Sequence, residues 1–329
     1  MVPDEHAGLP NVDNPYLHAK AILLTHGIPV QEARLSTITA SPYALQFRFQ
    51  NIAIALYAKM GGIPWTIDHG LTVDDEIVIG MGTAELSGSR FEPRQRHIGI
   101  TTVFRGDGNY LLVNLSRECT YEQYPDVLKE STIGVLKEIK QRNAWRPGDT
   151  VRVVFHAFKP LKDVEVAEIV KSCIDEVGHE QHIEFAFLTI SLSHPFKLLD
   201  TSQSGKRPRL GGAPKGKFAP ERGVMAQLGR YTRLLCARGP TLVKRSISSL
   251  PSPILIHLHK ASTYRDLVYL TDQVLKFTAL SWRSTSPARR PVTVYYPELI
   301  AELLARLQVI PGWSPAILNT KLRTSKWFL

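Results

Sequence analysis

The spacing of apolar and polar positions divides the chain into helical and extended stretches. Residues 15–26 read as a helix: Asn14 can cap it, Pro15 suits its first position and Gly27 stops it. A second helix is predicted over 42–60, with Ser41 as cap and Pro42 at its start. Its apolar residues Leu45, Phe49, Ile52, Leu56 and Met60 recur at helical spacing, and Gly61-Gly62 ends it. The pattern then changes. Ile77–Met81, Ile98–Phe104 and Tyr110–Leu115 are β-rich and separated by polar turns, with Gly106-Asp107-Gly108 as a hairpin signal between the second and third. A helix near 124–142 follows, and Pro147-Gly148-Asp149 breaks it before a strand at Val151–Phe155. Another helix is predicted at 163–177 and a strand at Ile183–Ile190.

This order, β-β-β-α-β-α-β, is an antiparallel meander followed by two crossover units, the strand order of an RNase H-like α/β fold with a mixed sheet flanked by helices. Residues 200–223 are rich in Gly, Pro, Lys and Arg and read as a loop. Beyond it a strand is predicted at Ile254–His259, a long helix near 262–280, a strand at Val292–Tyr295 and a helix near 297–308.

Composition narrows the function classes. The chain has 329 residues, 43% of them hydrophobic, enough for a sizeable core. No apolar run approaches the roughly 18 residues of a membrane span, and the N-terminus lacks a signal-peptide pattern. Cys119, Cys173 and Cys236 are far apart, which argues against a disulfide scaffold and suits a reducing cytoplasm. The net charge of +10 is unevenly spread. Residues 1–200 hold 19 Lys and Arg against 25 Asp and Glu (net −6), whereas 201–329 hold 21 against 5 (net +16). A polyanionic partner is the first explanation.

The run Lys59-Met60-Gly61-Gly62-Ile63-Pro64-Trp65, followed by the strand IVIG, resembles the junction between the MID and PIWI domains of Argonaute proteins. Trp327-Phe328-Leu329 resembles the C-terminus of prokaryotic Argonautes, and Phe155–Lys162 resembles the short prokaryotic subgroup. The resemblance implies a partial α/β MID domain at 1–65 and an RNase H-like PIWI domain at 66–329. It also implies that Tyr16, Lys20, Gln31 and Lys59 hold the 5′-phosphate of a guide strand. Tyr16 and Lys20 are four apart and share a helix face. Two ammonium groups would neutralise the phosphate while Gln and Tyr supply directed donors. The Leu329 carboxylate would approach the same pocket, so a structural Mg²⁺ held by Leu329 and Gln31 is implied. Many Argonautes place a second Lys where Ala55 stands here.

RNase H-like nucleases carry carboxylates at the ends of the first and fourth strands to hold two metal ions. Against the pattern of slicing Argonautes, Gly82 occupies the first Asp position, in Ile79-Gly80-Met81-Gly82, and Ala157 the second, in His156-Ala157-Phe158. Glu298, in Tyr295-Tyr296-Pro297-Glu298, falls at the last ligand position and could still bind metal. A glutamate finger could come from Glu118, Glu122 or Glu130. The expectation is a PIWI domain without slicer activity and without a catalytic metal.

His156, Lys159, Lys162 and Arg283 are candidates for contacting nucleic-acid backbone, as are Lys206, Arg207, Arg209, Lys215, Lys217 and Arg222 of the basic loop. His257 with His259 and His179 with His182 lack a third ligand and read as core or surface histidines. The function implied is guide-directed binding of a complementary strand, with a guide of RNA or DNA. An APAZ-containing effector of sirtuin-like, TIR or nuclease type would act in defence against invading DNA. A divergent guided nuclease and a non-guided nucleic-acid-binding protein are the alternatives.

Overall fold

The computed structural model describes residues 2–70, 72–86, 96–158, 164–205, 214–242 and 250–329. Lys159, Lys162, Lys206, Arg207 and Arg209 lie outside them. The strands β1 (Asp75–Leu86), β2 (Arg96–Arg105), β3 (Tyr110–Leu115), β4 (Thr150–Ala157), β5 (His182–Ser191), β6 (Met225–Gly229), β7 (Thr232–Leu235) and β8 (Ile254–Leu258) form one mixed sheet. Their order is β3-β2-β1-β4-β5-β8-β7-β6. β1, β4 and β5 run parallel, and the other pairs are antiparallel. The central strands are buried on both faces, which is why they read as almost unbroken apolar runs.

The helices are α1 (Pro15–Thr25), α2 (Leu35–Ile38), α3 (Pro42–Lys59), α4 (Tyr124–Arg142), α5 (Val166–Val177), α6 (Leu267–Phe277), α7 (Val292–Leu307) and α8 (Ala316–Lys321). α4 and α5 cover one face of the sheet, meeting Ile77, Ile79, Val153 and Phe155. α6, α7 and the C-terminal residues cover the other, meeting Val78, Val154 and Leu188. α1 packs on α7 and α8. As expected, the Asn14 side chain accepts from the Tyr16 N–H to cap α1. Ser41 makes no such bond at α3. The apolar stripe expected on α3 is not a buried face. Phe49, Leu56 and Met60 are exposed, with Tyr43, Phe47 and Tyr57, and the buried residues are Ala55, Ala58 and Lys59.

The strand expected at 292–295 is instead the start of α7. Its β-branched and aromatic run favours extended structure in isolation, but Pro291 stands at the N-cap and tertiary packing buries Val292, Thr293, Val294 and Tyr296 on all sides. Pro297 lies inside this helix and has no N–H for the Thr293 carbonyl one turn back. That carbonyl faces β1, where a Cβ on Gly80 would overlap it; a Cβ on Gly82 would lie 2.7 Å from the Pro297 Cβ. Helix and strand therefore touch backbone to backbone. Two further differences concern edges. The helix expected over 262–280 starts at α6, where Asp266 caps the Val268 and Tyr269 N–H groups. The hairpin of β6 and β7 was not anticipated.

Near the N-terminal ends of β1 and β4 lies a buried charge cluster. Arg152 Nη1 donates to Glu76 at 2.9 Å and Nη2 lies 2.7 Å from Glu184, while its guanidinium stacks 4.1 Å from the Tyr264 ring centre. Glu76 also accepts from the Tyr269 hydroxyl at 2.6 Å and from Gln273. At the far edge, the C-terminal segment crosses β3. The Val113 N–H donates to the Arg323 carbonyl at 2.8 Å, and Asn319 exchanges two bonds with the Leu115 backbone. That segment covers an otherwise open strand edge and ends with Trp327, Phe328 and Leu329 buried.

Removing one partner of a buried ion pair strands the other. Arg152→Ala should lower unfolding free energy by about 3–5 kcal/mol in urea titration; a loss under about 1 kcal/mol would show that the pair contributes no more than an exposed one.

Candidate nucleic-acid interface

A cavity of about 510 Å³ opens between α1, α3, α7 and the C-terminus. Tyr16, Lys20, Gln31, Lys59 and Leu329 all line it, so the structure brings these five sequence-derived residues together. α1 presents Tyr16 and Lys20 one turn apart, and the Lys20 ammonium donates to the Tyr16 hydroxyl at 3.2 Å. Lys59 ends α3 and points inward, donating to the Val30 carbonyl at 2.7 Å and to Gln31 Oε1 at 2.8 Å. Arg283 and Arg306 add positive charge, and Glu32 and Glu302 are the lining carboxylates. Arg306 was missed. It shares one face of α7 with Leu299, Glu302 and Leu303, a helical spacing legible once α7 is placed correctly.

Burial sets the electrostatics. It pulls the Lys20 ammonium down to about 8; Glu32 opposes this, and Arg306 and Arg283 add to it. Burial likewise pulls Lys59 down to about 7, with Lys20 and Arg283 adding repulsion. It pushes the Tyr16 hydroxyl up to about 12, so that group stays a donor. Two desolvated lysines with Arg34, Arg48, Arg283 and Arg306 around one void make a site for a compact anion such as a phosphate monoester.

A second cavity, about 470 Å³, adjoins the first through Arg283, which lines both. Arg238, Arg289, Arg290 and Tyr295 also line it, and Arg283 donates to the Tyr295 hydroxyl at 3.0 Å. Arg290 leads to the strand ends. Gly82 faces α7 there, whereas Ala157 pairs with Met81 and points to the opposite face, among the α4 and α5 contacts. Phe158, the residue just past β4, packs on the α7 side that Gly82 faces. The Arg290 guanidinium lies 5.3 Å from the Phe158 ring centre and is ion-paired with Glu298. Among the described residues no three His, Cys, Asp or Glu side chains come together as metal ligands.

Other expectations are revised. His156 cannot contact nucleic-acid backbone. It is fully buried, 2.7 Å from the Thr293 hydroxyl and edge-on to Phe277, and burial lowers it to about 3 so that it is neutral. In a strand, the residue before Ala157 faces the α6–α7 layer, which seals it. Arg222 turns inward to the Leu275 carbonyl and the Thr278 hydroxyl. His257 is paired with Thr232, and His259 with the Ala261 N–H. Lys217 is exposed and lies over the Phe218 ring.

The lysine shifts fix a pH dependence. Burial holds Lys59 at about 7 and Lys20 at about 8, and a dianion placed in this cavity would favour their protonated forms. Binding such an anion would take up protons, and affinity for it should fall as pH rises from about 7 to about 9. Calorimetry of a 5′-phosphorylated oligonucleotide in buffers of different ionisation enthalpy should read this uptake, and a 5′-hydroxyl oligonucleotide should not show it. A flat affinity profile for the phosphorylated strand would contradict the assignment.

Comparison with known proteins agrees with this architecture. A family model for the Piwi domain matches residues 8–308. The protein argonaute of Cereibacter sphaeroides is 56% identical over 327 residues, which are 99% of this chain and 42% of that protein. The Piwi protein of Archaeoglobus fulgidus is 24% identical over 338 residues, 98% of this chain and 73% of that protein. The chain thus spans less than half the length of the more similar relative. Among solved structures, Clostridium butyricum Argonaute bound to a guide DNA and a 19-mer target DNA superposes with a TM-score of 0.66 at 20% identity, covering 94% of this chain and 37% of that one. Aquifex aeolicus Argonaute does so with a TM-score of 0.60 at 17% identity, covering 95% and 39%. The one sheet, its two helical layers and the family match over most of its length place this chain in the Piwi domain family.

Proposed function

We propose that the chain anchors the 5′-phosphorylated end of a guide strand in the 510 Å³ cavity and presents the guide for pairing with a target that it does not cut. The observation that carries this is the convergence of Tyr16, Lys20, Gln31, Lys59 and Leu329 on that one void. Lys20, Lys59 and Arg306 neutralise the phosphate, Gln31 and Tyr16 direct it, and the Tyr16 ring offers the first base a stacking face. Gln31 and Leu329 both line the cavity, and a Mg²⁺ held by the Leu329 carboxylate and by Gln31 Oε1, once released from the Lys59 ammonium, would offset repulsion between the carboxylate and the phosphate. Backbone contacts along the second cavity would position the strands, and base pairing would supply sequence choice.

The absence of slicing is supported by three features. Gly82 has no side chain and faces Pro297; Phe158 holds the β4 end; and Glu298 is committed to Arg290. Recognition without cutting calls for an effector, and the APAZ-containing partner of sirtuin-like, TIR or nuclease type is the one proposed, acting against invading DNA.

A 5′-phosphorylated oligonucleotide should bind at least about tenfold tighter than its 5′-hydroxyl counterpart, and Lys59→Ala should erase the difference. Equal binding of the two would refute the anchored guide. With a phosphorylated guide and complementary RNA or DNA, Mg²⁺ or Mn²⁺ should yield no cleavage; guide-dependent cutting lost in Glu298→Ala would overturn the inactive assignment. Gly82→Asp should not create activity. Its Cβ meets Pro297, so it should destabilise the fold by about 1–3 kcal/mol in thermal or urea unfolding.

A further inference from the structure

The strand ends carry a cation of their own. Arg290 stacks on Phe158 with its guanidinium 5.3 Å from the ring centre, and Nη1 is paired with Glu298. The side chain is 27% exposed and lines the 470 Å³ cavity with Arg238, Arg283 and Arg289. Among the described residues no Asp or Glu lines that cavity, whereas Ser284 and Ser286 do. A stacked, half-buried guanidinium keeps its charge at any working pH, and its fork matches two phosphate oxygens.

We propose that Arg290 is the fixed cation of a metal-independent seat for one phosphodiester of the target strand. This inference rests on the guide-directed reading above. An RNase H-like site gathers positive charge where the first and fourth strands end, beside the strand that would be cut. Here Gly82 and Phe158 offer no ligand at those ends, and the residue that faces Glu298 is an arginine. Glu298 and the Phe158 ring orient the guanidinium, and its remaining N–H groups face phosphate. Arg289 adds charge at the mouth. The seat holds the linkage by charge-assisted hydrogen bonds and has no means of polarising water against it. Arg283, shared by both cavities, belongs to the path of the guide, while Arg290 lines only the second.

The test scans single methylphosphonate linkages, which remove one backbone charge, through the target and separately through the guide. The 329-residue chain is first loaded with a 5′-phosphorylated guide. In the wild type, one target linkage should weaken target binding about tenfold when neutralised. Arg290→Gln should weaken the unmodified target by a similar factor, lower the salt slope by about one, and abolish the extra effect at that linkage. Affinity for the guide alone should fall less than affinity for the target. Arg290→Lys should recover part of the loss. No sensitive target linkage, an effect that persists in Arg290→Gln, or a sensitive linkage found only in the guide would each overturn the proposal. Should Arg290→Gln fail to fold by thermal melting, Phe158→Leu must shrink the linkage effect, and an unchanged effect would be equally decisive. Lack of a 5′-phosphate preference would instead refute guide anchoring, so the two readings fail separately.

Discussion

Everything in this molecule is referred to the contact between α7 and β1. The helix lies so close to the strand that neither Gly80 nor Gly82 has room for a Cβ. Such an approach needs three things at once: two glycines on one strand face, a helix carbonyl with no intrahelical donor, and a proline that removes that donor. The close packing fixes the depth of α7, and with it everything the helix carries. Arg306 reaches the first cavity from its last turn, and Glu298 reaches the strand ends from its middle. The residue types that allow the contact also leave β1 without a side chain at Gly82, where it faces α7. Packing and chemistry are here one constraint seen from two sides.

The two cavities handle positive charge differently. In the first, ammonium groups sit partly dehydrated, so their protonation is sensitive to what they face. In the second, guanidinium groups dominate, and they are charged whether or not anything is bound. A terminal phosphate carries about two charges and can justify burying lysines, while an internal linkage carries one and is met by planar, weakly hydrated forks. Arginines line both cavities, and the buried lysines Lys20 and Lys59 are what set the first apart.

Much of the fold could be read directly. The meander and both crossover units were legible because β1, β4 and β5 are buried on both faces and so lack polar interruptions. β6 and β7 were not, because both are short, β6 is half-exposed, and they have no clear alternation. Residues 292–295 misled because local β preference and helical burial select the same residue types. Spacing showed that Tyr16 and Lys20 share a face. Only resemblance linked them to Gln31 and Lys59, which arrive through long-range packing. On α3, spacing could say that Phe49, Leu56 and Met60 line up, but not whether anything covers them. At the strand ends, resemblance to the family motif pointed to Ala157, whereas the register pairs Ala157 with Met81 and the next residue, Phe158, packs on the face that Gly82 presents to α7.

The C-terminal segment joins two parts of the molecule that are otherwise separate. The Arg323 carbonyl and the Asn319 side chain bond the edge of β3, and, a few residues on, Phe328 and Leu329 line the first cavity. One short stretch of backbone therefore closes a strand edge and walls an anion site. Loosening it at β3 would open the cavity at the same time, so the exposed edge and the lost site would come as one defect.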